Sequence, residues 1–220
     1  MLKHKHETAV TPARVVVLGS RGFLGAELLS LLGRAEIAVL GISSADIDLS
    51  DSGAATALAA TLRKNDTLVI FSALTPDRGR GIDSFMANLR MIESVAAALA
   101  DSPVAHVVYI SSDAVYPMVP GLVDETSCAA PDDLYGTMHK AREIMLQTSP
   151  IADRLAVLRA TLIYGHMDTH NSYGPNRLRR EAAENAEIKL FGAGEETRDH
   201  VLVSDAAALI REVLLHASTG

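Results

Sequence analysis

The sequence has a single cysteine, Cys128, so no disulfide can form within the chain, and a reducing compartment, the cytoplasm, is the expected address. It lacks a long uncharged apolar run and a signal-peptide pattern, which argues against a membrane-embedded or exported chain. It also lacks basic excess. Lys and Arg number 20 against 27 Asp and Glu, and the formal net charge of -7 offers no general attraction to a nucleic-acid polymer or an anionic membrane. Any phosphate-bearing ligand must therefore be held by local donors. Repeats and low-complexity linkers are absent as well. What is present is apolar: 48% of the 220 residues are hydrophobic and 21% charged, enough to bury a full core in one domain, with or without a small appendage.

Residues Met1 to Pro12 read as a flexible polar lead-in, in which Lys3, His4, Lys5 and His6 are expected to be solvated rather than to hold a metal. From Arg14 to Leu18 a β-branched run ends at Gly19, and an apolar-periodic stretch from Phe23 to Leu32 follows: strand, glycine turn, helix. The pattern then repeats. Glu36 to Ile42, Thr67 to Phe71, Val104 to Ile110 and Leu155 to Ile163 read as strands, and Ala54 to Leu62, Ser84 to Ala100 and Leu134 to Leu146 as helices. Such alternation predicts an α/β fold, a Rossmann-type doubly wound parallel sheet over residues 13–165, because only crossover helices join parallel strands. Beyond Gly165 the chain turns polar, with Asn171, Tyr173, Pro175, Arg177, Arg179, Arg180 and Arg198, before a short helix from Ser204 to Leu215. Residues 166–220 are expected to form a small substrate-facing appendage that includes this final helix.

Gly19, Gly22 and Gly25 stand three apart, directly after the first strand and at the opening of a helix. Gly19 permits the tight turn, Gly22 lets the backbone approach a pyrophosphate, and Gly25 lets helix and strand pack closely. The helix start, with Arg21, Phe23 and Leu24, offers unpaired N–H groups to that pyrophosphate. The context of this motif predicts a dinucleotide site.

The spacing matches the G-x-x-G-x-x-G of the extended short-chain dehydrogenase/reductase family, the nucleotide-sugar epimerase and dehydratase type, and further segments resemble it in the same order. Asp48 and Leu49 resemble its adenine-contacting pair. Phe71-Ser72-Ala73 resembles the strand end beside the dinucleotide, and Asn88 stands where the family has a structural or cofactor-side asparagine. Tyr109 to Tyr116 resembles S-S-x-x-V-Y, and Tyr135 to Glu143 resembles Y-G-x-x-K-x-x-x-E. The resemblance implies that Ser112 hydrogen-bonds the substrate oxygen and that Tyr135 exchanges the proton as hydride moves at the adjacent carbon. Asp113 resembles the acid of S-D pairs in nucleotide-sugar dehydratases and 4-ketoreductases; a role as a local cap stays equally open, and Ala114 lacks the second acid of a dehydratase. Leu158 to Gly165 and Gly192 to Asp205 resemble the family's later elements, which makes Arg198 the leading anchor for a substrate diphosphate and Arg177 a second. Asp205 reads as the cap of the final helix.

The sequence departs from the family at one position. Four residues after Tyr135 stands His139 where the family has lysine, and Lys140 is one step further. On a helix, i+4 lies about 40° from Tyr135 and i+5 about 140°, so His139 is the expected stand-in on the nicotinamide ribose side. At the end of the second strand Gly41-Ile42-Ser43-Ser44 replaces the ribose-binding acid of NAD enzymes; Arg21 with Ser43 and Ser44 as receivers of a 2′-phosphate tilts the expected cofactor, NAD(P), slightly toward NADP, with stacking of Arg21 over adenine as the other reading. His166, Asp168 and His170 specify no metal geometry, and no metal is expected. The resemblance implies an NAD(P)-dependent oxidoreductase or epimerase acting on a nucleotide-linked sugar, by 4-keto reduction or 4-epimerisation. It also implies a homodimer built on the helices of Ser84 to Ala100 and Leu134 to Leu146. The family is usually longer at its C-terminal end, where the sugar pocket is completed. Together with His139, that keeps an alternative open: a catalytically weak or inactive dinucleotide-binding regulator or accessory subunit.

Overall fold

The computed structural model describes residues 1–118, 121–168, 174–184, 187–188, 190, 193–194 and 197–220. Its centre is a parallel sheet in the order β2-β1-β3-β4-β5, formed by Arg14–Leu18 (β1), Val39–Ile42 (β2), Asp66–Ile70 (β3), His106–Ser112 (β4) and Leu155–Ala160 (β5). The helices are Phe23–Arg34 (α1), Ala54–Thr61 (α2), Ile82–Asp101 (α3), Leu134–Gln147 (α4), Gly174–Ala183 (α5) and Val203–Leu215 (α6). Successive strand residues point to opposite faces, so the continuous run Val15, Val16, Val17, Leu18 feeds two cores at once. Val16 and Leu18 pack with Leu58 of α2, Ile92 and Val95 of α3 and Leu146 of α4. Val15 and Val17 pack with Leu24 and Leu28 of α1 and with Ala207, Ile210 and Val213 of α6. The sheet is thus doubly wound, as the alternation predicts. None of the described helices is long and apolar enough to cross a membrane.

Three parts of the chain differ from the sequence-based expectation. The apolar run Leu155 to Ile163 is two strands, because it breaks at Thr161: Leu162–Tyr164 (β6) leaves the main sheet and pairs in parallel with His200–Leu202 (β7). The final helix, grouped above with the segment after Gly165, covers one face of the central sheet beside α1. The polar lead-in is tied down rather than loose. Lys3 and Thr219 exchange backbone hydrogen bonds of 2.8 and 2.9 Å, Val10 N–H donates to the Leu215 carbonyl, and His4 Nδ1 meets Ser218 Oγ at 2.7 Å. The partners of this lead-in come from the other end of the chain, through an isolated antiparallel bridge between Lys3 and Thr219, and local composition carries no sign of it.

Order reverses between β1 and β3, the neighbours on either side of the switch point. In sheets of this kind the ligand crevice lies there, beyond the carboxyl ends of the strands.

Candidate active site

β1 delivers the chain into the glycine turn at that crevice. Gly19 has φ +84°, a left-handed conformation that glycine adopts without penalty, and its amide donates to the Ile42 carbonyl at 2.9 Å. A Cβ on Gly25 would stand 2.4 Å from the Gly19 carbonyl oxygen, inside any permissible contact. The start of α1, at Gly22, has no side-chain cap and no acid in its first turn, so its amides face the crevice without a protein acceptor from a cap. Gly25→Ala is expected to push the helix off the turn and to weaken dinucleotide binding at least about tenfold, checked by fluorescence titration with NADH and NADPH.

On the adenine side, Ile42, Ser43, Ser44, Asp48, Leu49 and Ser72 line a small hollow of about 40 Å³. The structure thereby brings together Ser43, Asp48 and Leu49 with the β3 end, where Ala73 follows. The Asp48 carboxylate accepts from the Ser50 amide and hydroxyl, so it braces this turn. Sequence reasoning missed Asp46. Its carboxylate accepts from the Ser43 hydroxyl at 2.6 Å and the Ser43 amide at 2.9 Å, which hold it below the usual carboxylate range, with the Arg21 charge adding to the effect. The signal was present as a serine followed three residues later by an acid.

β4, the short turn after it and α4 carry Ser112, Asp113, Tyr135 and His139, the residues expected to react. Ser112 Oγ accepts from the Ala114 amide at 3.1 Å and caps a short 3₁₀ turn over Asp113–Val115, while also lying 3.2 Å from Asp113 Oδ1. So the serine is the cap, and burial pushes the Asp113 carboxyl up. Asp133 caps α4 by accepting from the Gly136 amide at 2.8 Å. A Cβ on Gly136 would meet the Ala114 carbonyl oxygen at 1.9 Å, so only glycine lets α4 enter this close to the β4 end. Tyr135 therefore stands next to the point where α4 meets the turn after β4.

One turn along α4, the His139 ring meets the Tyr135 ring edge-on, with centroids 4.7 Å apart. Tyr109 Oη lies 2.7 Å from His139 Nδ1. Burial, then the charge of Arg142, bring His139 down to about 3, and burial pushes Tyr109 up to about 12. Tyr109 Oη and His139 Nδ1 share one hydrogen, and where the phenol donates it the ring hydrogen sits on Nε2. Nε2 is buried and has no protein partner among the described residues. A buried imidazole nitrogen without a protein partner, together with the glycine turn, fits a nicotinamide dinucleotide. Lys140 is turned away, its Nζ 3.6 Å from Glu143 Oε2.

Below these groups lies a buried network. Glu143 accepts from Ser111 Oγ at 2.7 Å and from Arg159 Nε and Nη2 at 2.9 and 2.8 Å, and Arg159 Nη1 donates to Tyr116 Oη at 2.7 Å. Asn88 holds the loop after β3: its Oδ1 accepts from the Leu74 amide and its Nδ2 donates to the Leu74 carbonyl. Of the two roles open from the sequence, these bonds give it the structural one.

Beyond Gly165, Arg198 is exposed, approaches Met118 Sδ at 3.0 Å and acts electrostatically on Asp113. Arg177 pairs with Glu181 along α5 at 3.3 Å, and Arg180 donates to the Asp168 carbonyl. The Asp168 carboxylate accepts from buried Asn176 at 2.8 Å, which pins α5 to the Gly165 turn. Asp205 is a first-turn residue of α6 and not its cap; Leu202 holds that position with no side-chain bond. His170, Asn171, Tyr173, Gly192, Glu195 and Glu196 lie outside the described residues.

The sequence profile of the "NAD dependent epimerase/dehydratase family" matches residues 15–220. A curated relative, the N-acetyl-alpha-D-glucosaminyl-diphospho-ditrans,octacis-undecaprenol 4-epimerase of Escherichia coli O157:H7, is 25% identical over 94% of this chain; the chain spans 64% of that protein. The structure of UDP-N-acetylglucosamine 4-epimerase from Bacillus cereus superposes with a TM-score of 0.78 at 21% identity, covering 94% of this chain and 76% of its own. A GDP-L-fucose synthetase from Naegleria fowleri, solved with NADP, gives 0.76 at 16% identity over 98% of this chain and 77% of its own.

Proposed function

The chain belongs to the NAD dependent epimerase/dehydratase family, and from that premise we propose that it catalyses nicotinamide-dependent 4-epimerisation or 4-keto reduction of a sugar carried on a diphosphate. The observation that carries this reading is the Tyr135–His139–Tyr109 array at the β4 end, with His139 Nε2 buried and without a protein partner among the described residues.

The dinucleotide, when bound, supplies or accepts the hydride. Tyr135 Oη exchanges a proton with the sugar oxygen whose carbon changes oxidation state, and Ser112 hydrogen-bonds the same oxygen as charge develops on it. His139 donates through Nε2 to the ribose, and Tyr109 keeps that tautomer in place. Asp113 lies beside Ser112 and helps orient the sugar. Arg198 grips the carrier diphosphate with its planar fork, with Arg177 as a second contact from α5. The curated relative acts on a sugar joined to a polyprenol by a diphosphate and the Bacillus cereus protein on a UDP-sugar, which supports the diphosphate as the common recognition element.

Gly19, Arg21, Gly22, Phe23, Leu24 and Gly25 hold the pyrophosphate, and Ser43, Asp48, Leu49 and Ala73 flank the adenosine. Arg21 and Ser44 favour NADP; Asp46, tied to Ser43, opposes a 2′-phosphate and keeps that preference small. Asp46→Asn is expected to tighten NADPH several-fold and leave NADH nearly unchanged in a competition titration. We place the chain in the cytoplasm, in keeping with its free, exposed Cys128. We also propose a homodimer through α3 and α4, whose exposed Met86 and Ile144 suit such a face; light scattering reporting a monomer would contradict it. The function itself is tested by incubating the protein and its Tyr135→Phe variant with dinucleotide and a panel of UDP- and dTDP-sugars and their 4-keto forms. Turnover that survives the substitution would overturn the assignment.

A further inference from the structure

The family's lysine brings two things to its tyrosine, a hydrogen-bond donor toward the ribose and a fixed positive charge. A neutral His139 returns only the first. We propose that Arg142 supplies the second: the cation that favours proton release by Tyr135 has moved from the i+4 to the i+7 position of the same helix. This rests on Tyr135 being the acid/base of the proposed reaction.

Four observations carry it. Seven residues make about 700° of turn, so Arg142 lies within about 20° of the face that bears Tyr135. Helical side chains lean back toward the N-terminus, and this one does: Arg142 Nη1 reaches Met138 Sδ, one turn earlier, at 3.8 Å. Its guanidinium sits 5.2 Å from the centre of the Tyr109 ring, the same tyrosine that holds His139. Finally, Arg142 is fully buried and no carboxylate pairs with it among the described residues; its partners are neutral, the Ser72 carbonyl at 2.7 Å and Asn88 Oδ1 at 3.3 Å, and its Nε has none. A buried guanidinium without a counter-ion is costly to keep, and it stays protonated where an ammonium would be neutralised. Burial pulls Arg142 below its ordinary range while the phenol oxygens of Tyr109 and Tyr135 pull the other way, so its field reaches both hydroxyls.

Other charges near this end of the sheet are engaged with one another. Glu143 and Lys140 on α4 are matched with each other and with Arg159 of β5. Asp113 after β4 faces Arg198, and the loop after β3 presents Ser72 and Leu74. From α3 only Asn88 enters; Asp83, Arg90 and Glu93 are exposed. Arg142 thus acts through Tyr135 and His139 as a positioning charge, without touching the reacting atoms.

The test uses the tyrosinate absorbance, which the chain makes clean because it contains 5 tyrosines and no tryptophan. Subtracting the titration of a Tyr135→Phe partner from that of each protein isolates Tyr135, with no dinucleotide or sugar present. Arg142→Met is expected to raise the half-ionisation pH of Tyr135 by about one pH unit, Arg142→Lys to raise it likewise because an ammonium buried there is neutralised, and His139→Lys/Arg142→Met to restore it. The alkaline-side pH profile of turnover should move in parallel. If Arg142→Met does not fold, Arg142→Gln, which keeps a donor for the Ser72 carbonyl, makes the same comparison. An unchanged Tyr135 titration in a folded variant would mean that Arg142 only clamps the β3 end, and would overturn the proposal. Because the titration needs no substrate, an inactive wild-type protein would contradict the proposed function and leave this result readable.

Discussion

Tyr135→Phe is expected to lower turnover by about 10³-fold while leaving dinucleotide affinity within about twofold of wild type. The substitution removes one oxygen and keeps the ring, so the edge-on contact with His139 and the fit of α4 against β4 persist. What is lost is the group that exchanges a proton with the sugar oxygen, and positioned acid–base groups of this kind contribute roughly 10² to 10⁴ in rate. The Michaelis constant should change little, since the phenol acts mainly where charge develops. Single-turnover kinetics at saturating dinucleotide would measure the loss directly. A variant with both parameters near wild type would assign the proton transfer elsewhere.

The second large effect is on stability. Glu143 has no exposed side-chain surface and joins α4 to β4 through Ser111 and to β5 through Arg159, whose side chain is 21% exposed. Glu143→Gln removes the charge and leaves Arg159 half-buried without its carboxylate. Breaking such a pair costs about 3 kcal/mol, the lower end of the range because Arg159 keeps contact with water. For a chain of this size that is a fall in Tm of roughly 6–12 °C. The pH dependence gives a further signature. Burial raises the Glu143 carboxyl, but the hydrogen bonds from Arg159 and Ser111 and the Arg159 charge outweigh it, and the net direction is below the ordinary value of 4.5. A depressed folded-state value means that the ionised carboxyl stabilises the fold above pH 4.5 and that this contribution fades as the pH falls through the lower, folded-state value. The gap in Tm between wild type and Glu143→Gln should therefore be full at neutral pH and close in acid. A gap that is constant with pH would show that the loss is one of packing, not of charge.

The central sheet was legible because strands buried on both faces have no choice but to be apolar throughout, as in Val15 to Leu18 and Leu68 to Ile70. The glycine turn was legible because its spacing reflects contacts so close that a Cβ cannot enter. Helical geometry puts His139 on the face of Tyr135 and Lys140 off it, and the structure has the His139 ring against Tyr135 and Lys140 near Glu143. Elsewhere local pattern ran out. The break at Thr161 between β5 and β6 leaves hydrophobicity almost unchanged, and only the pairing of β6 with β7 makes it a boundary. The docking of Lys3 and Val10 depends on partners more than 200 residues away. Arg142 looked like one more charge on an amphipathic helix, since nothing in the residues from Leu134 to Leu146 announces that a charged position points inward. Asp46 escaped attention because the acid was sought at the strand end itself and stands four residues beyond it.

The most direct test of the whole account is a fluorescence titration of the purified protein with NADH and NADPH, run beside Gly25→Ala. The account predicts saturable binding of at least one dinucleotide, lost or strongly weakened in the variant. Failure of the wild-type protein to bind either one would contradict it at its foundation.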